Sequence, residues 1–222
     1  MIDKKTLAKL IDHTLLRADA TRDDIKRLCR EAKKFGFWSV CVNPTYVRLA
    51  TDVLKRTEVK VCSVVGFPLG ASVSKVKALE AENAVKDGAR EIDMVINIGA
   101  LKSHDYELVK ADIQEVIDRV KSLKKSTVVK AIIEVGLLAQ KEKVLACKLA
   151  KKAGADFVKT STGFNGSGAT VSDVRLMRTV VGPNFGVKAS GGIKTYLDAV
   201  NLIKAGANRL GTSSGVLIIG GK

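Results

Sequence analysis

Lysine becomes a nucleophile only after it sheds its proton, and two lysines in this sequence stand where a charge is costly. Lys159 lies in Asp156-Phe-Val-Lys-Thr-Ser-Thr-Gly163 and Lys188 in Gly186-Val-Lys-Ala-Ser-Gly-Gly192, both strand-like apolar runs that lead into glycine-containing turns. An ammonium among Val and Phe must find a partner or drop its proton, and the neutral amine can attack a carbonyl. A single Val-Lys pair is equally well read as half of a buried ion pair. Two such segments point to amine chemistry, although the residues alone do not choose between Lys159 and Lys188 as the nucleophile.

A second signal lies just downstream. Ser190-Gly-Gly192 and Gly211-Thr-Ser-Ser-Gly215 each follow an apolar run and lead into a helix-like stretch. Glycine lets backbone N–H groups approach an anion and serine adds hydroxyl donors, so these segments read as phosphate cradles. Gly163-Phe-Asn-Gly166-Ser-Gly168 adds a third glycine loop, but its spacing is not GxGxxG and the sequence holds no Gly-Lys-Ser/Thr of a nucleotide-binding loop. A nucleotide cofactor is not expected.

Several elements must place these residues. Four times a helix-like stretch ends in glycine and a short apolar strand follows: at Gly36, Gly88, Gly154 and Gly206. Glycine just past a helix takes the left-handed backbone that closes it, and repeated αβ connections imply a parallel sheet. Strands are expected around His13–Leu16, Trp38–Val42, Val59–Val65, Glu91–Ile96, Thr127–Glu134, Phe157–Thr160, Gly186–Ala189 and Arg209–Thr212. The clearest helix runs from Asp105 to Leu123. Tyr106, Val109, Ile113, Val116, Ile117, Val120 and Leu123 share one face, and Lys110, Asp112, Glu115, Asp118 and Lys121 fall elsewhere. Eight strand-helix units fit a (β/α)8 TIM barrel over residues 1–222, a single domain with a short N-terminal helix; an open doubly wound sheet is the alternative. The charges favour the barrel. Asp93, Lys130, Glu134, Lys159 and Lys188 sit on four strands and converge only if the sheet closes. Lys130 and Glu134, four residues apart in one strand, are expected on the same face as an ion pair.

The 222 residues are 46% hydrophobic, enough for a full core, and no low-complexity linker divides them. No apolar stretch suggests a signal peptide or a membrane span. Four cysteines and two histidines show no zinc-type spacing, so neither a metal site nor a disulfide framework is expected, and a reducing cytoplasm fits. The net charge of +15 predicts attraction to anions. The lysines are spread over helix faces, without an arginine-rich arm or aromatic interleaving, which argues against nucleic acid.

Seven segments together resemble the deoxyribose-phosphate aldolases. They are Ile11-Asp-His-Thr-Leu-Leu16, Val40-Cys-Val-Asn-Pro44, Val65-Gly-Phe-Pro-Leu-Gly70, Glu91-Ile-Asp-Met-Val-Ile-Asn-Ile-Gly99, Ala155-Asp-Phe-Val-Lys-Thr-Ser-Thr-Gly-Phe164, Gly186-Val-Lys-Ala-Ser-Gly-Gly-Ile193 and Arg209-Leu-Gly-Thr-Ser-Ser-Gly215. The resemblance spans nearly the whole chain and implies a class I aldolase that splits 2-deoxy-D-ribose 5-phosphate into glyceraldehyde 3-phosphate and acetaldehyde without a metal or organic cofactor. It assigns the Schiff base to Lys159, makes Lys188 the neighbouring charge that keeps it reactive, and gives Asp93 a part in proton transfer. It places Gly163, Gly191, Gly192, Gly211, Ser213 and Ser214 at the phosphate and Asp12 and Thr14 near the substrate hydroxyls; Lys130 and Glu134 are expected in support on their spacing alone. Cys41 and Asn43 stand near the pocket, Cys41 as a buried small hydrophobe. Homodimers or homotetramers are expected. Two departures stand out: Glu134 is followed by Val-Gly-Leu-Leu where a hydroxyl residue is common, and the sequence reads Gly215-Val-Leu-Ile-Ile-Gly-Gly-Lys222 where relatives carry a longer tail ending in tyrosine.

Overall fold

A computed structural model describes residues 2–220, which leaves Gly221 and Lys222 of the C-terminal run outside the described residues. Eight parallel strands close into a barrel in the order of the chain: β1 (Ile11–Leu15), β2 (Ser39–Val42), β3 (Lys60–Val65), β4 (Glu91–Val95), β5 (Val128–Ile132), β6 (Phe157–Lys159), β7 (Gly186–Ser190) and β8 (Arg209–Thr212). Each expected strand is present within a few residues of its expected bounds. Closure is explicit in the pairing of β1 with β8, where Asp12 is level with Gly211.

Helices wrap the outside: α1 (Lys4–Ala8), α2 (Arg22–Phe35), α3 (Val47–Val53), α4 (Ser74–Lys86), α5 (Ile98–Lys102), α6 (Tyr106–Leu123), α7 (Gln140–Lys152), α8 (Val171–Val181), α9 (Tyr196–Lys204) and α10 (Gly215–Ile218). Local chemistry sets their ends. Thr21 and Asp24 form a reciprocal capping box at the start of α2, and Thr195 and Asp198 do the same for α9. At the other ends, Gly36, Gly88, Gly154 and Gly206 all take positive φ, between 68° and 115°, which turns the chain directly into the next strand.

The apolar core lies mainly between sheet and helices, where residues such as Ile25, Val40, Ile92, Ile113, Val129, Val158 and Leu210 are fully buried. The interior of the barrel is different. Its apolar cluster is small, comprising Leu16, Cys41, Cys62 and Val64, and much of the remaining space is taken by charged side chains.

Helix α6 buries the expected Val109, Ile113, Val116, Ile117 and Val120, while Leu123 is exposed and Asp112 is not. Asp112 meets Lys77 of α4 at 2.6 Å, and both are buried; Lys77 also donates to the Val95 carbonyl at 3.0 Å. The partner sits on another helix, so the spacing within α6 gave no sign that Asp112 faces inward. Burial drives both groups toward their neutral forms, lowering the Lys77 pKa and raising that of Asp112, so the pair persists through its geometry. Asp112→Ala, which strands the Lys77 ammonium, is expected to cost about 3–5 kcal/mol of unfolding free energy in urea titration. Adding Lys77→Met should recover much of that loss.

Candidate active site

Strand alternation and register stack seven ionisable side chains inside the barrel: Asp12 on β1, Glu91 and Asp93 on β4, Lys130 on β5, Lys159 on β6, Lys188 on β7 and Arg209 on β8. Asp93 is at the centre. One carboxylate oxygen accepts from Lys130 at 2.7 Å; the other accepts from Lys159 at 2.8 Å and Lys188 at 2.7 Å. Lys159 and Lys188 are register partners on neighbouring strands, so the sheet itself sets their separation.

The network continues downward. Lys188 also donates to Asp12, and Asp12 takes a hydroxyl bond from Ser39 at 2.7 Å and a guanidinium bond from Arg209 at 3.0 Å. Arg209 reaches Glu91 at 3.0 Å, Glu91 holds Lys130 at 2.6 Å, and the Trp38 indole donates to Glu91 at 2.6 Å. Room for Lys188 depends on Gly211, where a Cβ would stand 2.9 Å from the Lys188 Cε.

Burial alone would raise the Asp93 pKa, but the ammoniums of Lys130, Lys159 and Lys188 outweigh it and hold the carboxyl well below its usual range. Asp12 is likewise held low, with Lys188 and Arg209 outweighing its burial. Lys188 and Lys130 shift the other way: burial opposes their charge, and the carboxylates beside them raise both pKa values. Both are therefore fixed cations.

Above this network opens a cavity of about 360 Å³. Of the three interior lysines only Lys159 lines it. Its rim is formed by Gly163, Gly191, Gly192, Gly211, Ser213 and Ser214, all six positions expected for an anion, together with Thr14. Gly163, Gly191 and Gly192 have φ of 85°, 88° and 77°, a backbone that a side chain would strain. At Gly191 a Cβ would also press within 2.9 Å of the Gly168 Cα, so the β6–α8 and β7–α9 loops touch through their glycines.

Three expectations are corrected. Asp12 does not line the cavity: it is fully buried, its side chain pointing into the barrel to meet Lys188 and Arg209. Lys130 and Glu134 do not pair: β5 ends at Ile132, so the alternation that would align them has stopped, and Lys130 turns to Glu91 and Asp93. Glu134 therefore does not join the charges that converge on Asp93. It sits at φ 56°, and its carboxylate accepts from the Thr162 N–H at 3.1 Å, the Thr162 hydroxyl and the Asn165 amide. It pins the loop after β6 to the loop after β5. Cys41 is buried as expected, and Asn43 donates to the Leu16 carbonyl at 3.2 Å, anchoring a loop.

Glu91, Arg209, Cys62 and the rim residues Arg17, Thr162 and Lys194 were not singled out in the sequence. The two-residue spacing of Glu91 and Asp93 in one strand was the available sign, since it puts both on one face. Cys41 and Cys62 are register partners on β2 and β3, and with Asp93 they bring three potential ligand atoms within 4.8 Å of one another. The arrangement suits a cation poorly: Asp93 already holds three ammoniums, the Cys62 thiol donates to it at 3.2 Å, and burial pushes the Cys62 pKa well above its ordinary value.

An amine set in a buried charge network beneath a glycine-lined cavity, at the C-terminal ends of barrel strands, is the layout of a Schiff-base aldolase barrel. The DeoC/LacD family aldolase profile matches residues 6–219. The chain is 58% identical over 219 residues to the deoxyribose-phosphate aldolase of Geobacillus sp. (strain WCH70), covering 99% of this chain and 97% of that one. It is 59% identical to the deoxyribose-phosphate aldolase of Thermococcus kodakarensis, covering 99% and 98%. The solved tetrameric deoxyribose phosphate aldolase of Aeropyrum pernix superposes with a TM-score of 0.91 at 38% identity, covering 98% and 91%. The chain belongs to the DeoC/LacD aldolase family.

The depressed Asp93 has a consequence in acid. A carboxyl whose folded pKa lies below its unfolded value near 3.8 contributes stability above that value and loses it as pH falls through the folded pKa. Unfolding free energy of the protein should therefore fall steeply below about pH 4. In Asp93→Asn, less stable at neutral pH, that acid slope should be shallower in urea titrations run across the pH range.

Proposed function

We propose that the protein cleaves 2-deoxy-D-ribose 5-phosphate reversibly to D-glyceraldehyde 3-phosphate and acetaldehyde through an imine on Lys159. The observation that carries this reading is that Lys159 alone among the interior lysines opens to the cavity, while Lys130 and Lys188 are locked as cations around the same carboxylate.

Attack requires the neutral amine, and an ordinary lysine, titrating near ~10.4, is almost wholly protonated at neutral pH. The interior holds four cations against three carboxylates. The amine adds to the C1 aldehyde, and loss of water from the carbinolamine gives an iminium. Removal of the C3 hydroxyl proton then drives cleavage of the C2–C3 bond, whose electron pair passes into the iminium. Glyceraldehyde 3-phosphate leaves, the enamine takes a proton at C2, and hydrolysis frees acetaldehyde and the lysine. Lys188 is the fixed positive charge beside these steps, and Asp93 is the anion that orients it toward Lys159. An aspartate held so far below its usual range is a weak base on its own, so it acts with Lys188 and water.

The rim supplies the other half of substrate recognition. Backbone N–H groups of the glycine loops and the hydroxyls of Ser213 and Ser214 are placed to take the 5-phosphate, with Thr14 near the sugar. Four buried free thiols support a reducing, cytoplasmic setting. No helix among the described residues is long and apolar enough to cross a membrane. A homo-oligomer is supported by the exposed Leu69, Val73, Val76 and Leu79, which cluster on α4 and the loop before it.

Borohydride added with acetaldehyde should leave an ethylated lysine that peptide mapping places at Lys159; a map without it would overturn the assignment. Lys188→Leu should lower turnover by about a hundred- to ten-thousand-fold. Binding of the phosphorylated substrate, read by calorimetry, should change far less.

A further inference from the structure

The opposite mouth of the barrel carries a feature that the aldol chemistry does not use. A cleft of about 620 Å³ opens at the N-terminal ends of β2 to β5, on the face away from the substrate cavity. Conservative explanations of that face in a barrel are structural. The charges here do not fit such an explanation.

Five cations converge on the cleft from three connections: Lys55, Arg56 and Lys60 between α3 and the head of β3, Arg90 before β4, and Lys124 after α6. Among the described residues none of the five has a carboxylate within 4.0 Å, and none of their side chains makes a hydrogen bond. Other surface cations among the described residues, Lys33, Lys34 and Lys152 for instance, also lack a carboxylate partner; these five differ in lining one concavity. Arg56 even adopts a left-handed backbone, with φ 65°. Two acids share the cleft and neither neutralises it. Glu58 stands exposed and unpaired, and Glu91 at the floor is already bound by Lys130, Arg209 and Trp38.

Trp38 forms part of the wall. The Lys60 ammonium lies 3.6 Å from the centre of its ring and the Arg209 guanidinium 4.4 Å away, so the indole is held in place by two cations. A concave site with a fixed aromatic wall and five unpaired cations lowers its self-repulsion by taking an anion. Several cations spread around one cleft suit several charges on one ligand, and flexible lysines and arginines suit phosphate oxygens.

We propose that this cleft is a second anion site, separate from the substrate cavity, for a small multiply charged phosphate compound such as an oligophosphate or a phosphate ester.

Trp38 is the sole tryptophan of the chain and lines this cleft, so its emission reports on occupancy there. Titration of the protein with tripolyphosphate, at ionic strength held constant with chloride, should change Trp38 emission saturably. The midpoint should move at least tenfold higher in Arg90→Ala/Lys124→Ala and stay in place in Ser213→Ala/Ser214→Ala, which alters only the substrate rim. No saturable change, a change reproduced by chloride, or a midpoint that follows Ser213 and Ser214 would overturn the proposal. Circular dichroism of each variant separates loss of the site from loss of the fold.

Discussion

Three ammoniums on one carboxylate is the constraint around which this barrel is organised. Asp93 is buried and holds Lys130, Lys159 and Lys188 within 2.7 to 2.8 Å, an arrangement that is costly unless the surplus charge is disposed of. Glu91 and Asp12 take up two of the lysines from below, and Arg209 ties those two acids together. What remains is a single lysine whose counter-ion is already shared. It is also the one that faces the cavity. The same arrangement thus fixes the polar interior and singles out one amine for chemistry.

Much of this was legible in the sequence because it rests on local rules. The glycines that end helices, the apolar runs and the lysines within them located every strand, and strand order followed from the absence of any break in the αβ rhythm. The site at the rim was legible for the same reason: Gly191, Gly192, Gly211, Ser213 and Ser214 lie beside strand ends, where backbone geometry is dictated locally. What escaped was whatever depends on a partner far along the chain. Lys130 was matched to Glu134 by spacing within one strand, while its actual partners Asp93 and Glu91 lie on β4, Asp93 level with it in the sheet register. Asp112 looked like a solvent-facing residue until α4 brought Lys77 against it. Asp12 was placed near the substrate by resemblance, and nothing in its own segment pointed to Lys188 and Arg209, at separations of 176 and 197.

The two halves of the site differ in how they are held. The amine and its charges are carried by strands, whose positions follow from backbone pairing and from side chains packed within the barrel. The anion rim is carried by loops, which are kept in place by contacts between glycines and by Glu134. That residue accepts a strained left-handed backbone while its carboxylate gathers Thr162 and Asn165. Strain at such a position is sustained only by the bonds it makes possible. Glu134 thereby couples the geometry of the cradle to the end of β5, although it touches neither the amine nor Asp93.

The register that sets Lys159 level with Lys188 has a consequence for how such an enzyme can diversify. Loops at the rim can lengthen, shorten or exchange residues without altering the distance between the two amines, because that distance belongs to the sheet. Substrate preference and covalent chemistry are therefore inherited separately. A lineage can explore new aldehydes at the rim while retaining, unaltered beneath it, the means of activating them.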